Sequence, residues 1–401
     1  MTMKIAVVGG GAAGLMAAIV ASQNHKVTVF EKQSRVGKKL YASGNGKCNM
    51  TNSLLTRENL EKPNDFYNCQ QANDVVSKFD YNDFMQFCKD TLAIETITDS
   101  QGRVYPRSEQ GGSVLDAFRL KCQKNNVKIN DVCEVTRIEK TSTGFKLQVG
   151  NNETAFFDKV IFCVGSSAQV RNFNSLDLLK GFDLSITKKQ ASLTPVKTEK
   201  VWLPLNGTKV KCNVSLYQNG QKVMGEDGEV LFRDYGLSGI VIFNVSAYIA
   251  RNIVNNVYAN YYVMLDLFPE FTQKQLEEKL FDRIAVCGKD SKTFFVGLLC
   301  NKLANEVIKA CKLGEQVKNE DITKIAKFLK NIRFDISGLC GEDKGQVMSG
   351  GIDFACVDEN LQCKNVPSLY FAGECLNADG LCGGFNLHFA FSSGYIAGKS
   401  V

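Results

Sequence analysis

The chain has 401 residues, 44% of them apolar and 22% charged, and its 48 basic and 42 acidic side chains leave a net charge of +6. Those figures exclude a disordered or fibrous protein and predict two or three globular domains of about 100–200 residues each. No run of about 18 uncharged apolar residues predicts a membrane span, no signal-peptide pattern opens the chain, and no block of like charges argues for a nucleic-acid partner, so a cytoplasmic location is expected.

In chain order, Lys4–Val8 predicts a short apolar strand, residues 9–14 a glycine turn, 12–22 an Ala/Leu/Met-rich helix, and 27–30 a second strand ending at Glu31. Residues 35–52 are rich in Gly, Asn, Lys and Ser and predict a long functional loop. Helical patterns follow at 82–91 and 113–125. The β-rich runs 132–140 and Phe145–Val149 precede a buried strand at 159–164. The character changes near residue 190. Short alternating strands occupy 193–232, with turn signals at Asn206-Gly207, Asn219-Gly220 and Asp227-Gly228, and predict a small antiparallel sheet or barrel. Residues 272–331 read as helical and rich in Lys and Glu. The segments 346–354, 369–372 and 386–399 return to strand, strand and apolar helix.

The strongest local signal is Gly9-x-Gly11-x-x-Gly14, set between a strand and a helix, with Glu31 ending the next strand 22 residues after Gly9. Gly9 permits the tight turn, Gly11 lets a pyrophosphate approach the backbone, and Gly14 lets helix and strand pack closely. The helix start offers free N–H groups to phosphate. Glu31 suits ribose hydroxyls and would repel a 2′-phosphate, which fits FAD or NAD. Ala13 within the motif and Lys32 beside Glu31 are counted with the cofactor-binding residues. Further βαβ units of an NAD dehydrogenase do not follow. Instead, 369–374 is an apolar strand ending in Gly373-Glu374, suited to the ribityl chain of FAD. Next comes Gly380-Leu-Cys-Gly-Gly-Phe-Asn386, a second glycine-rich helix start including Gly384, Phe385 and Asn386. Its dipole would stabilise negative charge on a reduced flavin.

Fifteen cysteines with no C-x-x-C pair, and only two histidines, His25 and His388, predict free thiols and no metal or His-based triad. The pair Cys375 and Cys382 is the nearest approach to a redox couple. With the flavin carrying the chemistry, His388 and Cys48 are the two side chains considered for a catalytic role.

The sequence resembles the BaiN-like, or YhiN-type, family of NAD(P)/FAD-dependent oxidoreductases. The resemblance rests on the first fingerprint, on Gly37-Lys-Lys-Leu-Tyr-Ala-Ser-Gly-Asn-Gly-Lys-Cys-Asn-Met-Thr-Asn52 and on Gly102-Arg-Val-Tyr-Pro106. It extends to Gly228-Glu-Val-Leu-Phe232, Gly236-Leu-Ser-Gly239 and residues 370–398, and so spans the chain. It implies an α/β fold: a two-dinucleotide-type, Rossmann-like FAD-binding domain over 1–190 and 345–401. This domain is interrupted by a β-barrel-like domain over 191–264 and 332–344 and a helical insert over 265–331. The resemblance implies that Ser43, Gly44, Gly46, Lys47 and Asn49 border the flavin and its pyrophosphate, with Arg35 and Lys39 adding positive charge. Val135 would hold adenine through its backbone, and Gly165 would end a strand beside the cofactor. Departures are Cys163 and Val164, where Ala and Thr are usual, and His388, where Gln is common.

The reading that follows is an FAD-dependent oxidoreductase moving hydride between flavin N5 and a small organic substrate. NAD(P)H, docking transiently, or dioxygen is the other redox partner. Substrate contacts are expected from the insert and from Tyr105, Tyr235, Leu237 and Ser238. A flavoprotein that modifies RNA or binds nucleic acid is the alternative, and a non-catalytic flavin-binding regulator the third reading.

Overall fold

The computed structural model describes residues 2–150, 153–169 and 175–401. They form two compact units, Met1–Ser192 with Gln346–Val401, and Leu193–Gly345. No helix among the described residues is long and apolar enough to cross a membrane.

The first unit is built on a five-stranded parallel sheet in the order Leu369–Phe371, Lys159–Phe162, β1 (Lys4–Val8), β2 (Lys26–Phe30), Lys128–Asn130. Register pairs Val8 with both Phe30 and Phe162, and Phe162 with Phe371, so three strands end level. In an open parallel sheet the crevice beyond those carboxyl ends is where ligands bind. Four of the five β1 residues are buried on alternating faces, as a covered parallel strand requires. Helix α1 (Ala12–Ala21) is apolar on every side and buried at nine of its ten positions, which fits a helix enclosed by other elements. The C-terminal helix Phe385–Ser400 lies against it at very short range: a Cβ on Gly394 would come 2.4 Å from Ala13 O, and one on Gly398 2.7 Å from Ala17 O. Glycine at both positions lets the two backbones approach.

One side of the sheet packs Ile5, Val7, Leu15 and Ile19 with Phe84, Phe118 and Phe391. The other packs Ala6, Val8, Phe162 and Phe371 with the inward residues of an antiparallel meander, Val135–Lys140, Phe145–Val149 and Glu153–Phe157. Strict alternation of burial along Phe145–Val149 marks that half-covered sheet. A small antiparallel sheet joins Thr51–Asn52, Arg103–Pro106 and Thr96–Thr98.

The second unit is a closed six-stranded barrel: Val196–Thr198, Gly236–Ser238, Gln221–Arg233, Lys209–Gln218, Tyr261–Asp266 and Ile332–Leu339. Trp202, Phe232 and Phe334 pack together in its core with Val214, Leu216 and Val263. Four helices, Gln273–Cys287, Ser291–Phe294, Asn301–Ala310 and Asn319–Lys330, fill the span between the last two strands. Of the three turn signals, Asn219-Gly220 is the hairpin between Lys209–Gln218 and Gln221–Arg233, with both residues at positive φ. Asp227-Gly228 is not a turn. It runs inside Gln221–Arg233, paired with Asn213 and Cys212, and its glycine is needed because a Cβ there would strike Val241 Cγ1 at 2.3 Å.

Candidate functional site

The loop from β1 into α1 is fixed by its own backbone. Gly9 has φ +102° and donates to Phe30 O at 2.9 Å, and a Cβ on it would come 2.5 Å from Cys163 O. A Cβ on Gly14 would come 1.9 Å from Gly9 O, so this glycine sets the turn–helix distance. Gly11 differs: a Cβ there would meet no atom of the described residues within 4 Å. Gly11 caps α1 without a side-chain acceptor for the first-turn N–H groups. Ala13, in that first turn, touches the far side of the site, since a Cβ on Gly373 would lie 2.8 Å from Ala13 Cβ.

Glu31 closes one end. Its two carboxylate oxygens accept from Gly10 N–H at 2.9 Å and Gln33 N–H at 2.8 Å. These two donors orient the carboxylate and leave each oxygen further acceptor capacity. Lys32, beside Glu134 and Glu31, is held below its ordinary value by burial. Backbone bonds from Glu31 N–H to Asn130 O and from Cys133 N–H to Glu31 O, at 2.9 and 2.8 Å, bring the start of Val135–Lys140 alongside, with Val135 buried. Gly165, past the end of Lys159–Phe162, has φ +73°.

Residues 35–52 are more ordered than a loop. Gly37, at φ +72°, starts a five-residue helix, Lys38–Ala42, and Thr51–Asn52 is a strand. The helix buries only Leu40, too little to give a periodic sequence signal. Lys39 donates to Ser166 O at 2.9 Å and lies 3.8 Å from Glu374, tying this segment to two strand ends. Glu374 also accepts from Met348 N–H at 3.1 Å. The Arg35 guanidinium lies 4.9 Å from the Tyr41 ring centre. Ser43 donates to Leu40 O, and Gly44 and Gly46 take positive φ. Lys47 turns to the exposed Glu109 at 2.7 Å, so its charge is already answered by a carboxylate. Buried Asn49 bridges the two ends of the site, donating to Thr51 O at 3.0 Å and accepting from Gly384 N–H at 3.1 Å.

At the second glycine-rich turn, Gly373 donates to Ser393 Oγ at 2.9 Å. Gly384 has φ +102°, and a Cβ on it would come 2.4 Å from Thr51 O. The Phe385 ring is in the core, and its carbonyl accepts from Tyr67 Oη at 2.8 Å. The Asn386 amide staples its own turn, accepting from Gly380 N–H and donating to Gly380 O and Leu381 O. It shapes the turn with its side chain and leaves only its place in the first helical turn to face a ligand. Sequence reading missed a second staple: Asn68 donates to Asn377 O and accepts from Asp379 N–H, both at 3.1 Å.

Both side chains considered for catalysis lie in the core, out of contact with solvent. His388 is fully buried, with Nδ1 at 2.7 Å from Thr51 Oγ1 and Nε2 at 3.1 Å from Phe79 O. Burial pushes its pKa down to about 4, so it is a neutral ring with both nitrogens occupied. Cys48 is also fully buried, and burial pushes its thiol up to about 11. Cys375, donating to Ala372 O and Phe162 O, is pushed up to about 12. All fifteen cysteines are free thiols.

The open backbone at Gly11 fits a long phosphate-bearing ligand. A fixed carboxylate at one end and a second helix start at the other fit the two halves of a dinucleotide flavin.

A family model described as HI0933-like protein Rossmann domain matches residues 3–400. A 3-dehydro-bile acid delta(4,6)-reductase from Clostridium scindens is 26% identical, over 99% of this chain and 98% of that protein. A ribosomal RNA dihydrouridine synthase from Haemophilus influenzae is 24% identical, over 98% and 97%. Among solved structures, the 3-ketosteroid-delta4-(5alpha)-dehydrogenase from Rhodococcus jostii RHA1, in complex with 4-androstene-3,17-dione, is similar in fold. Its TM-score is 0.51 at 13% identity, over 99% of this chain and 96% of that one.

Proposed function

The chain belongs to the HI0933-like family and is a flavin-dependent oxidoreductase, and on that premise we propose that it binds FAD and reduces a carbon–carbon double bond conjugated to a carbonyl in a small organic substrate, with NAD(P)H as electron donor. The observation that carries FAD binding is the α1 start at Gly11, where a Cβ would meet none of the described residues within 4 Å, beside the fixed Glu31 carboxylate. The reductive direction is supported by the name of the bile-acid reductase, whose similarity spans both chains.

When bound, the flavin supplies two-electron chemistry, taking hydride from a donor and giving it to an acceptor. The chain supplies position and field. The α1 N–H groups receive the pyrophosphate, Glu31 the ribose hydroxyls, and Lys39, held between Ser166 O and Glu374, adds positive charge. The start of Phe385–Ser400 offers a second set of N–H groups to negative charge on the ring. His388 stays neutral at physiological pH and keeps the Thr51 strand docked on that helix.

Thiols carry no step in this scheme: Cys48 and Cys375 are buried and protonated, and the half-buried Cys382 sits 3.9 Å from Gln346 Oε1. Cys48→Ser, and the double variant Cys375→Ser with Cys382→Ser, are therefore expected to keep the rate of flavin reduction within about tenfold, about 1.4 kcal/mol or less. Stopped-flow reduction by the best donor measures this. A thousandfold loss in a variant that still holds FAD would mean thiol chemistry.

The function itself is tested by anaerobic titration of the purified yellow protein. NADH or NADPH should bleach the flavin band and a conjugated ketone should restore it. A protein bleached by neither nucleotide, or reoxidised by dioxygen and by no conjugated ketone, contradicts the reductase reading.

A second reading, a flavoprotein acting on RNA, is favoured by the similarity to the ribosomal RNA dihydrouridine synthase. It predicts RNA binding that weakens steeply between 50 and 200 mM salt, roughly as several phosphate contacts require. Binding that is absent, or flat with salt, rejects it.

A further inference from the structure

The strand Arg103–Pro106 is the middle strand of the small antiparallel sheet in the first unit. Side chains alternate along it. Val104 is wholly buried, so Arg103 and Tyr105, both part-exposed, share the opposite face. That face meets the turn ahead of the C-terminal helix. Asn52, opposite Arg103 in register, donates to Gly383 O at 3.0 Å, and a Cβ on Gly383 would lie 3.7 Å from Arg103 Cγ. Asp99 fixes the guanidinium from behind: it accepts from Arg103 Nε at 2.7 Å and from the Arg103 backbone N–H at 3.0 Å.

Two donors are left over. Among the described residues, neither terminal nitrogen of Arg103 nor the hydroxyl of Tyr105 has a hydrogen-bond partner. Burial, the largest influence on the Tyr105 phenol, raises it above its ordinary value, so its proton stays in place at neutral pH. The neighbouring charges cancel: Arg103 is matched by Asp99, and Lys47 by Glu109. Free guanidinium N–H groups and a protonated phenol suit an acceptor oxygen, and with the neighbouring charges paired that oxygen can be a neutral carbonyl.

We propose that Arg103 and Tyr105 are the substrate-oxygen subsite, holding the carbonyl oxygen of a conjugated ketone beside the Gly383 turn. This rests on the reductase reading above and adds the residues that recognise the substrate. Donation to that oxygen draws electron density along the conjugated system and leaves the far alkene carbon more receptive to hydride, after which the carbon next to the carbonyl takes a proton from solvent water. It also fixes which end of the substrate enters first.

The test uses the FAD-loaded protein and three probes: 4-androstene-3,17-dione, the same steroid lacking the oxygen conjugated to the ring double bond, and cyclohexenone. Binding is measured by calorimetry and by the shift of the bound flavin's visible band. The wild type should prefer the conjugated ketone by about tenfold or more, the usual scale for donors left unpaired by the wrong ligand. Arg103→Met and Tyr105→Phe should each remove most of that preference, and the double variant all of it, with FAD content and affinity for the deoxygenated probe unchanged. Variants that keep the preference overturn the subsite while leaving the reductase reading intact. Loss of FAD from Arg103→Met also overturns it, because the arginine then serves the cofactor. Wild-type protein that holds FAD but binds neither the steroid enone nor cyclohexenone removes the substrate class and the subsite together.

Discussion

Gly11→Val should give a folded protein that no longer holds FAD. The reason is the asymmetry among the three fingerprint glycines. A Cβ at Gly11 meets none of the described residues within 4 Å, and the backbone there, at φ −80° and ψ −166°, is open to any residue. The fold therefore pays only the N-cap preference of glycine over valine, about 1 kcal/mol. The space entered by the new side chain is the pyrophosphate approach, and FAD affinity should fall by at least about a hundredfold, roughly 2.7 kcal/mol. Gly14→Ala should behave differently, because its Cβ would come 1.9 Å from Gly9 O and the turn itself must move. Thermal melts of the apoproteins and FAD titrations separate the two. A Gly11→Val protein that binds FAD as the wild type does would remove α1 from the cofactor site.

The second large effect concerns pH and a residue that does no chemistry. His388 has an ordinary value near 6.5 when unfolded and about 4 when folded, because burial penalises its charged form. Between those values the unfolded chain binds the extra proton and the folded chain does not, so stability falls as pH falls. The contribution is complete above pH 6.5, declines through the window, and is lost by about pH 4, a total of about 3 kcal/mol. His388→Gln, which carries no titratable group, should flatten this part of the profile. Denaturant unfolding of both proteins at matched pH isolates the histidine from the carboxylates that titrate lower. Identical slopes from pH 6.5 to 4.5 would show that His388 does not resist protonation in the fold.

The parts of the site legible in sequence were those written in local backbone chemistry. Gly9, Gly11, Gly14 and Glu31 belong to one strand–turn–helix–strand unit, and their roles follow from turn geometry and helix polarity within thirty residues. The barrel announced itself through alternation. What was not legible depended on partners distant in sequence. Lys38–Ala42 is too short to show a period. Asp227-Gly228 has turn chemistry, but its glycine answers to Val241 across the barrel. His388 and Asn386 stand two residues apart in the first turn of one helix, yet one is sealed against Thr51 and Phe79 and the other is spent on its own turn. The free donors of Arg103 and Tyr105 become visible only when the Gly383 turn is seen beside them.

The central claim is a dinucleotide flavin seated on α1, Glu31 and the C-terminal helix, and the most direct measurement is the identity and amount of cofactor the protein carries. Acid should release FAD, close to one per chain, and the apoprotein should recover one equivalent on titration, with Gly11→Val recovering none. Release of FMN, or a folded apoprotein that takes up no FAD at micromolar concentration, would contradict the account, because a mononucleotide would leave Glu31 and the α1 start without a ligand.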